Sequence, residues 1–185
     1  MVQGGGEEVS AMGGLSCLAK GMALCAIFLS FSAGQELKAR ADLINQKGEK
    51  IGIAELLQTN DGVLIKLEAS GLPPSSELAF HIHELGKCDP PDFMSAKGHF
   101  NPYKKKHGLL NPEGHHAGDM PNVFTDSDGN LKVHVLNTYV TLERGKENSL
   151  MKEGGTALMI HHHRDDYKTD PAGDAGARIA CGVIK

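Results

Sequence analysis

Short segments in which apolar and polar residues alternate recur along most of this 185-residue chain. Alternation with a period of two gives a β-strand one apolar and one polar face. Residues 63–69 (VLIKLEA) show this pattern, and Asn60-Asp61-Gly62 just before them is typical of a tight hairpin turn. Helical periodicity is nearly absent. The eight predicted strands span residues 37–44, 51–58, 63–69, 78–84, 131–136, 139–142, 156–161 and 177–184.

The composition agrees with a sheet protein that has many turns. Glycine is abundant at 23 residues, tryptophan is absent, and the apolar fraction of 40% is enough for a core. Two long irregular segments, residues 86–122 and 164–176, interrupt the strands. Loops of that length in a compact domain are usually functional or disordered. We therefore predict an all-β fold, either an antiparallel sandwich or a flattened barrel.

The N-terminal region contains an apolar segment, residues 21–33 (GMALCAIFLSFSA), directly after Lys20. The segment is too short to span a bilayer securely and fits a secretory signal peptide better. Small residues allow cleavage after Gly34 or after Ser32, and translation starting at Met12 would give a more ordinary signal. A buried N-terminal helix is the alternative interpretation. The predicted organisation is a signal peptide at 1–34 and one domain at 35–185.

Removal of residues 1–34 leaves two cysteines, Cys88 and Cys181. An even number of cysteines in an exported chain suggests one disulfide bond, whereas two unpaired buried thiols are the alternative. Export places the protein in the periplasm or outside the cell. No stable membrane span is expected, so the sequence predicts an exported, disulfide-bonded domain.

The charge distribution argues against nucleic acid as a partner. The net charge is −4, and the one basic run is Lys104–Lys106. Such a run usually belongs to a solvated loop, although here it could also attract anions.

Histidine is concentrated between residues 81 and 119. His81 and His83 lie two positions apart on a predicted strand, so both side chains point to one face. His99, His107, His116 and Asp119 follow in the first long loop, and His161 ends a later strand. Imidazole suits zinc and copper, and a carboxylate is a common additional zinc ligand. The spacing predicts two adjacent metal ions, against the alternative of scattered surface histidines.

Six motifs lie along roughly residues 81–185: HIHELGKC, SAKGHFNP, KHG, HHAGDMPN, IHHHRDDY and GARIACGVI. In their order and spacing they resemble the copper/zinc superoxide dismutases. Cys88, soon after the H-x-H pair, and the PDF segment resemble the bacterial exported branch. The resemblance implies a Greek-key β-sandwich or flattened eight-stranded barrel with two long functional loops, superoxide as substrate, and one copper and one zinc per subunit.

The resemblance also implies roles for single residues. His99 would bridge the two metals, Asp165 would bond one copper and one zinc histidine, and Arg178 would hold the anion. Lys97 stands where glycine is more common, and it joins Lys104–Lys106 as a candidate helper in attracting the anion. The implied ligands are His81, His83, His99 and His161 for copper, and His99, His107, His116 and Asp119 for zinc.

Three additional histidines, His115, His162 and His163, fall outside the implied ligand sets. We interpret them as exposed polar residues, with secondary metal capture as the alternative. Two other functions remain open: a copper store or chaperone without turnover, and a structural sandwich that uses only zinc. The sequence does not reveal the oligomeric state, and a homodimer is the candidate.

Overall fold

The computed structural model describes residues 36–185. Within these residues the chain forms nine strands and one short 3-10 helix, Met94–Ala96. The predicted signal peptide lies outside the described residues. In the described part of the chain, no helix is long and apolar enough to cross a membrane. The strands are β1 (Lys38–Asn45), β2 (Lys50–Thr59), β3 (Gly62–Ala69), β4 (Glu77–Leu78), β5 (Phe80–His83), β6 (Val123–Phe124), β7 (Leu131–Asn137), β8 (Ala157–His161) and β9 (Arg178–Val183).

Seven of the strands form one curled antiparallel sheet in the order β5-β8-β9-β1-β2-β3-β7. Strands β1, β2 and β3 are joined by two hairpins, and their small or apolar residues align. Ala54 lies opposite both Ala41 and Leu67. After β3 the chain crosses to the far end of the sheet and enters β4 and β5. The predicted all-β antiparallel fold is confirmed.

The predicted strand 78–84 is divided at Ala79. Before this residue, β4 pairs with β6; after it, β5 pairs with β8. The Ala79 amide donates to the His163 carbonyl at 2.8 Å, and its carbonyl accepts from the His161 amide at 2.9 Å. Strand β6 leads directly into the turn before β7, at the other end of the sheet. Because of this division, the single segment 77–83 pairs with β6 near one end of the curled sheet and with β8 at the other, and so connects the two ends.

The core fills the inside of the curled sheet, as the period-two pattern predicts. Burial of each large apolar side chain stabilises the fold by roughly 1.5–3 kcal/mol relative to full exposure. The main cluster includes Leu43, Leu56, Ile65, Leu67, Leu78, Phe80, Ile82, Met120, Leu150 and Leu158.

The predicted strand 139–142 is wrong. This segment is a turn that makes only one isolated bridge, from Thr141 to Ser149, among the described residues. The side chain of Gln58 replaces a strand partner, because its Oε1 accepts from the Leu142 amide at 2.7 Å and the Thr141 hydroxyl at 2.9 Å. Val140 and Leu142 are buried, which explains the apolar alternation without a sheet.

The predicted disulfide is present between Cys88 and Cys181. It joins the start of the first long loop to the middle of β9, and Cys181 is fully buried. Phe93, Ala157 and Met159 pack around it as a second, smaller cluster. The disulfide therefore attaches the histidine-bearing loop to the sheet.

Candidate metal centre

The structure brings together His81, His83, His99 and His161. The first two lie on β5 and His161 ends β8, which is hydrogen-bonded to β5. His99 comes from the long loop and is placed by a bridge to His83. All four side chains are buried, and one ring nitrogen from each lies within 4.8 Å of the others. This group is the histidine-only set.

Backbone carbonyls determine which nitrogen two of these histidines present. Nδ1 of His83 is 2.8 Å from the Lys97 carbonyl, and Nδ1 of His161 is 3.2 Å from the Gly176 carbonyl. A carbonyl only accepts, so each Nδ1 carries the proton and each Nε2 keeps a free lone pair. The two Nε2 atoms lie 3.4 Å apart. They are therefore oriented to share one ion.

A second group consists of His99, His107, His116 and Asp119 and is named the mixed set. All of these residues lie in the loop between β5 and β6, and all are buried. Asp119 forms a bridge to His81, while the neighbouring Gly118 amide donates to the Phe100 carbonyl at 2.9 Å. The loop is thereby held against β5, close to the histidine-only set.

The donor atoms of the mixed set are spaced for a tetrahedral ion. Oδ1 of Asp119 lies 2.9 Å from Nδ1 of His99, 3.1 Å from Nδ1 of His107 and 3.3 Å from Nδ1 of His116. The Nδ1 atoms of His116 and His99 are 3.4 Å apart. Four ligands at zinc's usual bond lengths would be separated by about 3.3 Å. The mixed set therefore fits zinc.

Both carboxylate oxygens of Asp119 have defined partners. Oδ2 accepts from the amides of Gly108 and His116, each at 3.0 Å, while Oδ1 faces the three rings. Burial opposes ionisation, but the close approach of the His107, His116 and His99 rings holds the pKa of Asp119 well below its usual value. The carboxylate is therefore ionised and directs a single oxygen to the ion.

His99 belongs to both sets. Its Nδ1 faces Asp119, and its ring centroid is 4.0 Å from that of His81. Burial, followed by the neighbouring His81, lowers the pKa of His99 to about 3, although Asp119 opposes the shift. Burial also lowers the pKa values of His83 and His161. Neutral imidazole is the form that binds metals.

Three buried ring nitrogens in residues 36–185 have no hydrogen-bond partner. They are Nδ1 of His81, Nε2 of His99 and Nδ1 of His107; the last lies 3.1 Å from Oδ1 of Asp119, but without the geometry of a hydrogen bond. Buried polar atoms in proteins are nearly always paired, so three such atoms in one centre indicate missing ligands. Metal ions would satisfy all three. The residues present therefore fit two ions, with one nitrogen of His99 directed to each.

Asp165 connects the two sets. Its Oδ2 is 2.8 Å from Nε2 of His81, and its Oδ1 is 3.0 Å from Nε2 of His107. Burial acts in the opposite direction, but bonds to His107 and His81 hold the pKa of Asp165 well below its usual value. Desolvation lowers the pKa of His107, but the neighbouring carboxylates, Asp119 first and then Asp165, raise it to about 9. An ionised Asp165 fixes both rings with Nδ1 directed to a metal.

Sequence reasoning assigned no role to two residues that hold Asp165 in place. Asn122 accepts from the Asp165 amide at 2.9 Å and donates to its carbonyl at 3.0 Å. The Tyr167 hydroxyl accepts from the Asn122 amide at 2.7 Å, and the Tyr167 amide donates to Oδ1 of Asp165 at 2.6 Å. Asn122 lies within the HHAGDMPN motif, but only the folded loop reveals its partner.

Arg178, at the start of β9, reaches the edge of the histidine-only set. Nη1 donates to the Phe93 carbonyl at 2.7 Å, and Nη2 donates to the Lys97 carbonyl at 2.6 Å. The same Lys97 carbonyl accepts from Nδ1 of His83. The guanidinium is half-buried. Arg178 and His83 therefore share the Lys97 carbonyl as a hydrogen-bond acceptor, which places the guanidinium close to the histidine-only set. A permanent positive charge in this position suits the capture of a small anion.

The three additional histidines lie outside both sets. His162 and His163 are exposed, as predicted. His115 is half-buried: its Nδ1 donates to the His116 carbonyl at 2.7 Å, and its ring packs edge-on against Tyr139. In the described part of the chain, no group of metal-competent side chains includes any of the three.

Two buried, adjoining groups of metal-competent side chains that share one histidine, carried by a curled antiparallel sheet, define a protein able to hold two metal ions side by side. The family described as copper/zinc superoxide dismutase (SODC) matches residues 50–184. The chain belongs to this family. It is an oxidoreductase that converts superoxide to dioxygen and hydrogen peroxide.

Similar proteins come from several bacteria. Superoxide dismutase [Cu-Zn] 1 of Aquifex aeolicus is 76% identical over 163 residues, which are 88% of this chain and 96% of that protein. Superoxide dismutase [Cu-Zn] of Caulobacter vibrioides is 41% identical, over 75% of this chain and 80% of that protein. The crystal structure of a SOD-like protein from Bacillus subtilis has a TM-score of 0.77 at 41% identity, covering 79% of this chain and 97% of that chain.

Proposed function

We propose that each subunit holds one copper ion in the histidine-only set and one zinc ion in the mixed set. The observation that carries this assignment is the placement of His99, with Nδ1 in the mixed set and Nε2 buried without a partner. Four imidazoles suit copper, whereas three imidazoles and a carboxylate at tetrahedral spacing suit zinc. The proposed ligands are His81, His83, His99 and His161 for copper, and His99, His107, His116 and Asp119 for zinc.

Copper, when bound, supplies the one-electron chemistry by alternating between Cu(II) and Cu(I), which zinc cannot do. Two superoxide ions and two protons then give one dioxygen and one hydrogen peroxide. Arg178 attracts the anion and positions it beside the histidine-only set. Nε2 of His99, which is buried without a protein partner, would be the place to hold a proton during turnover. Asp165 keeps the rings of His81 and His107 in one orientation throughout.

Metal analysis and superoxide turnover together test the assignment. The folded domain, reconstituted with both metals, is expected to contain one copper and one zinc and to disproportionate superoxide. Copper binding without turnover would favour a copper store or chaperone. Zinc without copper would favour a structural sandwich and overturn the proposal.

Two variants distinguish the bridging histidine from a histidine that touches zinc alone. His99→Ala is expected to abolish the shift in the copper spectrum that follows zinc removal, because one imidazole couples the sites. His107→Ala serves as the matched control, and it should weaken zinc binding first while copper stays bound with altered geometry. A copper spectrum in His99→Ala that still responds to zinc as in the parent would indicate two independent sites.

We also propose that the protein is exported and that residues 1–34 are removed as a signal peptide. The disulfide supports this, because such bonds persist mainly outside the reducing cytosol. Relatives from bacteria are consistent with a periplasmic or extracellular location. N-terminal sequencing of the cell-envelope fraction should begin at or near Gln35. An intact N-terminus in a cytosolic fraction would contradict this proposal.

A further inference from the structure

Lys97 has a backbone conformation that lysine rarely adopts. It follows the 3-10 helix Met94–Ala96 with φ 59° and ψ −145°. This region strongly favours glycine because a Cβ atom crowds the backbone there. A side chain at such a position costs roughly 1–3 kcal/mol of stability. The fold therefore accepts a cost at Lys97 that glycine would avoid.

The surrounding contacts fix this conformation. The Lys97 amide donates to the Met94 carbonyl at 3.0 Å. The Lys97 carbonyl accepts from both Nδ1 of His83 and Nη2 of Arg178. A relaxed backbone at position 97 would turn this carbonyl away from both partners. The site therefore requires this backbone conformation from whichever residue stands at position 97. A glycine would adopt it without loss of stability, whereas a lysine adopts it at a cost in folding free energy.

The side chain of Lys97 is exposed and forms no salt bridge with any residue in 36–185. Six other surface cations in this part of the chain pair with a carboxylate, as Lys132 does with Glu68 at 2.6 Å, and Lys97 is not among them. Its carbonyl accepts from Arg178, so the ammonium group can lie no further from that contact than the reach of one lysine side chain. Lys97 therefore adds an unneutralised positive charge at the entrance to the site, in a chain whose net charge is −4.

We propose that Lys97 is a second anion-capturing cation, and that the protein sacrifices stability at this position to place its charge beside Arg178. The inference rests on the proposed copper site and on superoxide as substrate. An incoming anion about 8 Å from one added charge in water is enriched about two- to threefold. Physiological salt should remove most of that gain, because its screening length is about 8 Å.

Three substitutions separate strain from charge. Lys97→Gln keeps the strain and removes the charge. Lys97→Gly removes both, and Lys97→Arg keeps both. Lys66→Gln is the matched control, since it deletes the same charge from β3, which lies three strands away from β9 in the sheet order. All variants would be assayed as the copper- and zinc-loaded protein, with metal content and copper spectra recorded.

Superoxide capture, measured as kcat/KM at low salt, should fall about two- to threefold in both Lys97→Gln and Lys97→Gly. Lys97→Arg and Lys66→Gln should retain the parent value. The unfolding midpoint should rise only in Lys97→Gly, by about 2–6 °C after allowance for the more flexible unfolded chain. Equal capture in Lys97→Gln and Lys66→Gln, or no gain in stability for Lys97→Gly, would overturn the proposal. A parent protein that binds copper but does not turn over superoxide would instead refute the proposed function.

Discussion

Gly173 offers a direct test of how the loop after β8 controls the metal centre. It is buried and has φ +64°. A Cβ atom added there would overlap Oδ1 of Asp165 and would lie 2.7 Å from Nε2 of His107. Gly173→Ala should therefore push the Asp165 carboxylate off the histidine that it orients.

The expected magnitude has two parts. A non-glycine residue in the left-handed region costs about 1–2 kcal/mol of folding stability. Loss of a partner that orients a metal-bound histidine typically weakens metal binding about 10- to 100-fold, or about 1.4–2.7 kcal/mol. Zinc should suffer more than copper, because the added methyl group would also crowd Nε2 of His107 at 2.7 Å, whereas no atom of His81 is among its three nearest neighbours.

Gly145→Ala is the matched control. Gly145 has φ +79°, but an added Cβ would meet no atom within 4 Å. Without metal, both variants should lose the stability that a left-handed conformation costs a non-glycine residue, and Gly173→Ala should lose more because of the overlap with Asp165. Only Gly173→Ala should also lose zinc affinity. Competition with a chromophoric zinc chelator measures the affinity, and urea unfolding of the metal-free proteins measures the stability. A Gly173→Ala affinity within about threefold of the control would refute the role given to Asp165.

Three further predictions concern the supports of the site. Replacing Cys88 and Cys181 by serine should lower the free energy of unfolding by about 4–5 kcal/mol, because the bond closes a long loop; a loss below about 1 kcal/mol in urea unfolding would contradict this. Asn137→Ala should weaken zinc binding in the same chelator assay, because the buried Asn137 amide donates to the Ala117 carbonyl at 2.9 Å beside the zinc ligands; unchanged affinity would show that this bond is dispensable. Arg178→Ala should reduce superoxide turnover with both metals retained, and the reduction should shrink as salt rises; full activity at low salt would place anion capture elsewhere.

The sequence predicted much of the sheet because its strands have one buried face. In residues 63–69, for instance, every second side chain is buried, as the alternation in the sequence predicts. Strand β6 was missed because two residues are too few to show a period. Segment 139–142 was predicted wrongly because burial of Val140 and Leu142 imitates a strand, while the distant Gln58 side chain supplies the hydrogen bonds. A side chain that hydrogen-bonds to a backbone 84 positions away leaves no pattern in the sequence around residues 139–142.

The histidines themselves were visible in the spacing, but the atoms they present were not. Whether a ring uses Nδ1 or Nε2 depends on what binds its other nitrogen. For His83 that partner is the carbonyl of Lys97, and for His81 it is the carboxylate of Asp165. A backbone carbonyl exists at every position, so no residue type marks the one that matters. Orientation of the rings therefore depends on the fold, whereas their number and order can be read from the chain.

The two halves of the centre also differ in how they are held. Three of the four residues in the histidine-only set lie on β5 and β8, which are paired inside the sheet. Every member of the mixed set comes from the loop between β5 and β6. Strand residues keep their positions through the ladder, whereas loop residues depend on local contacts, here Asp119 and Asp165. Zinc in the mixed set would thus order the loop that carries it, and through His99 that order reaches the half of the site where the redox chemistry takes place.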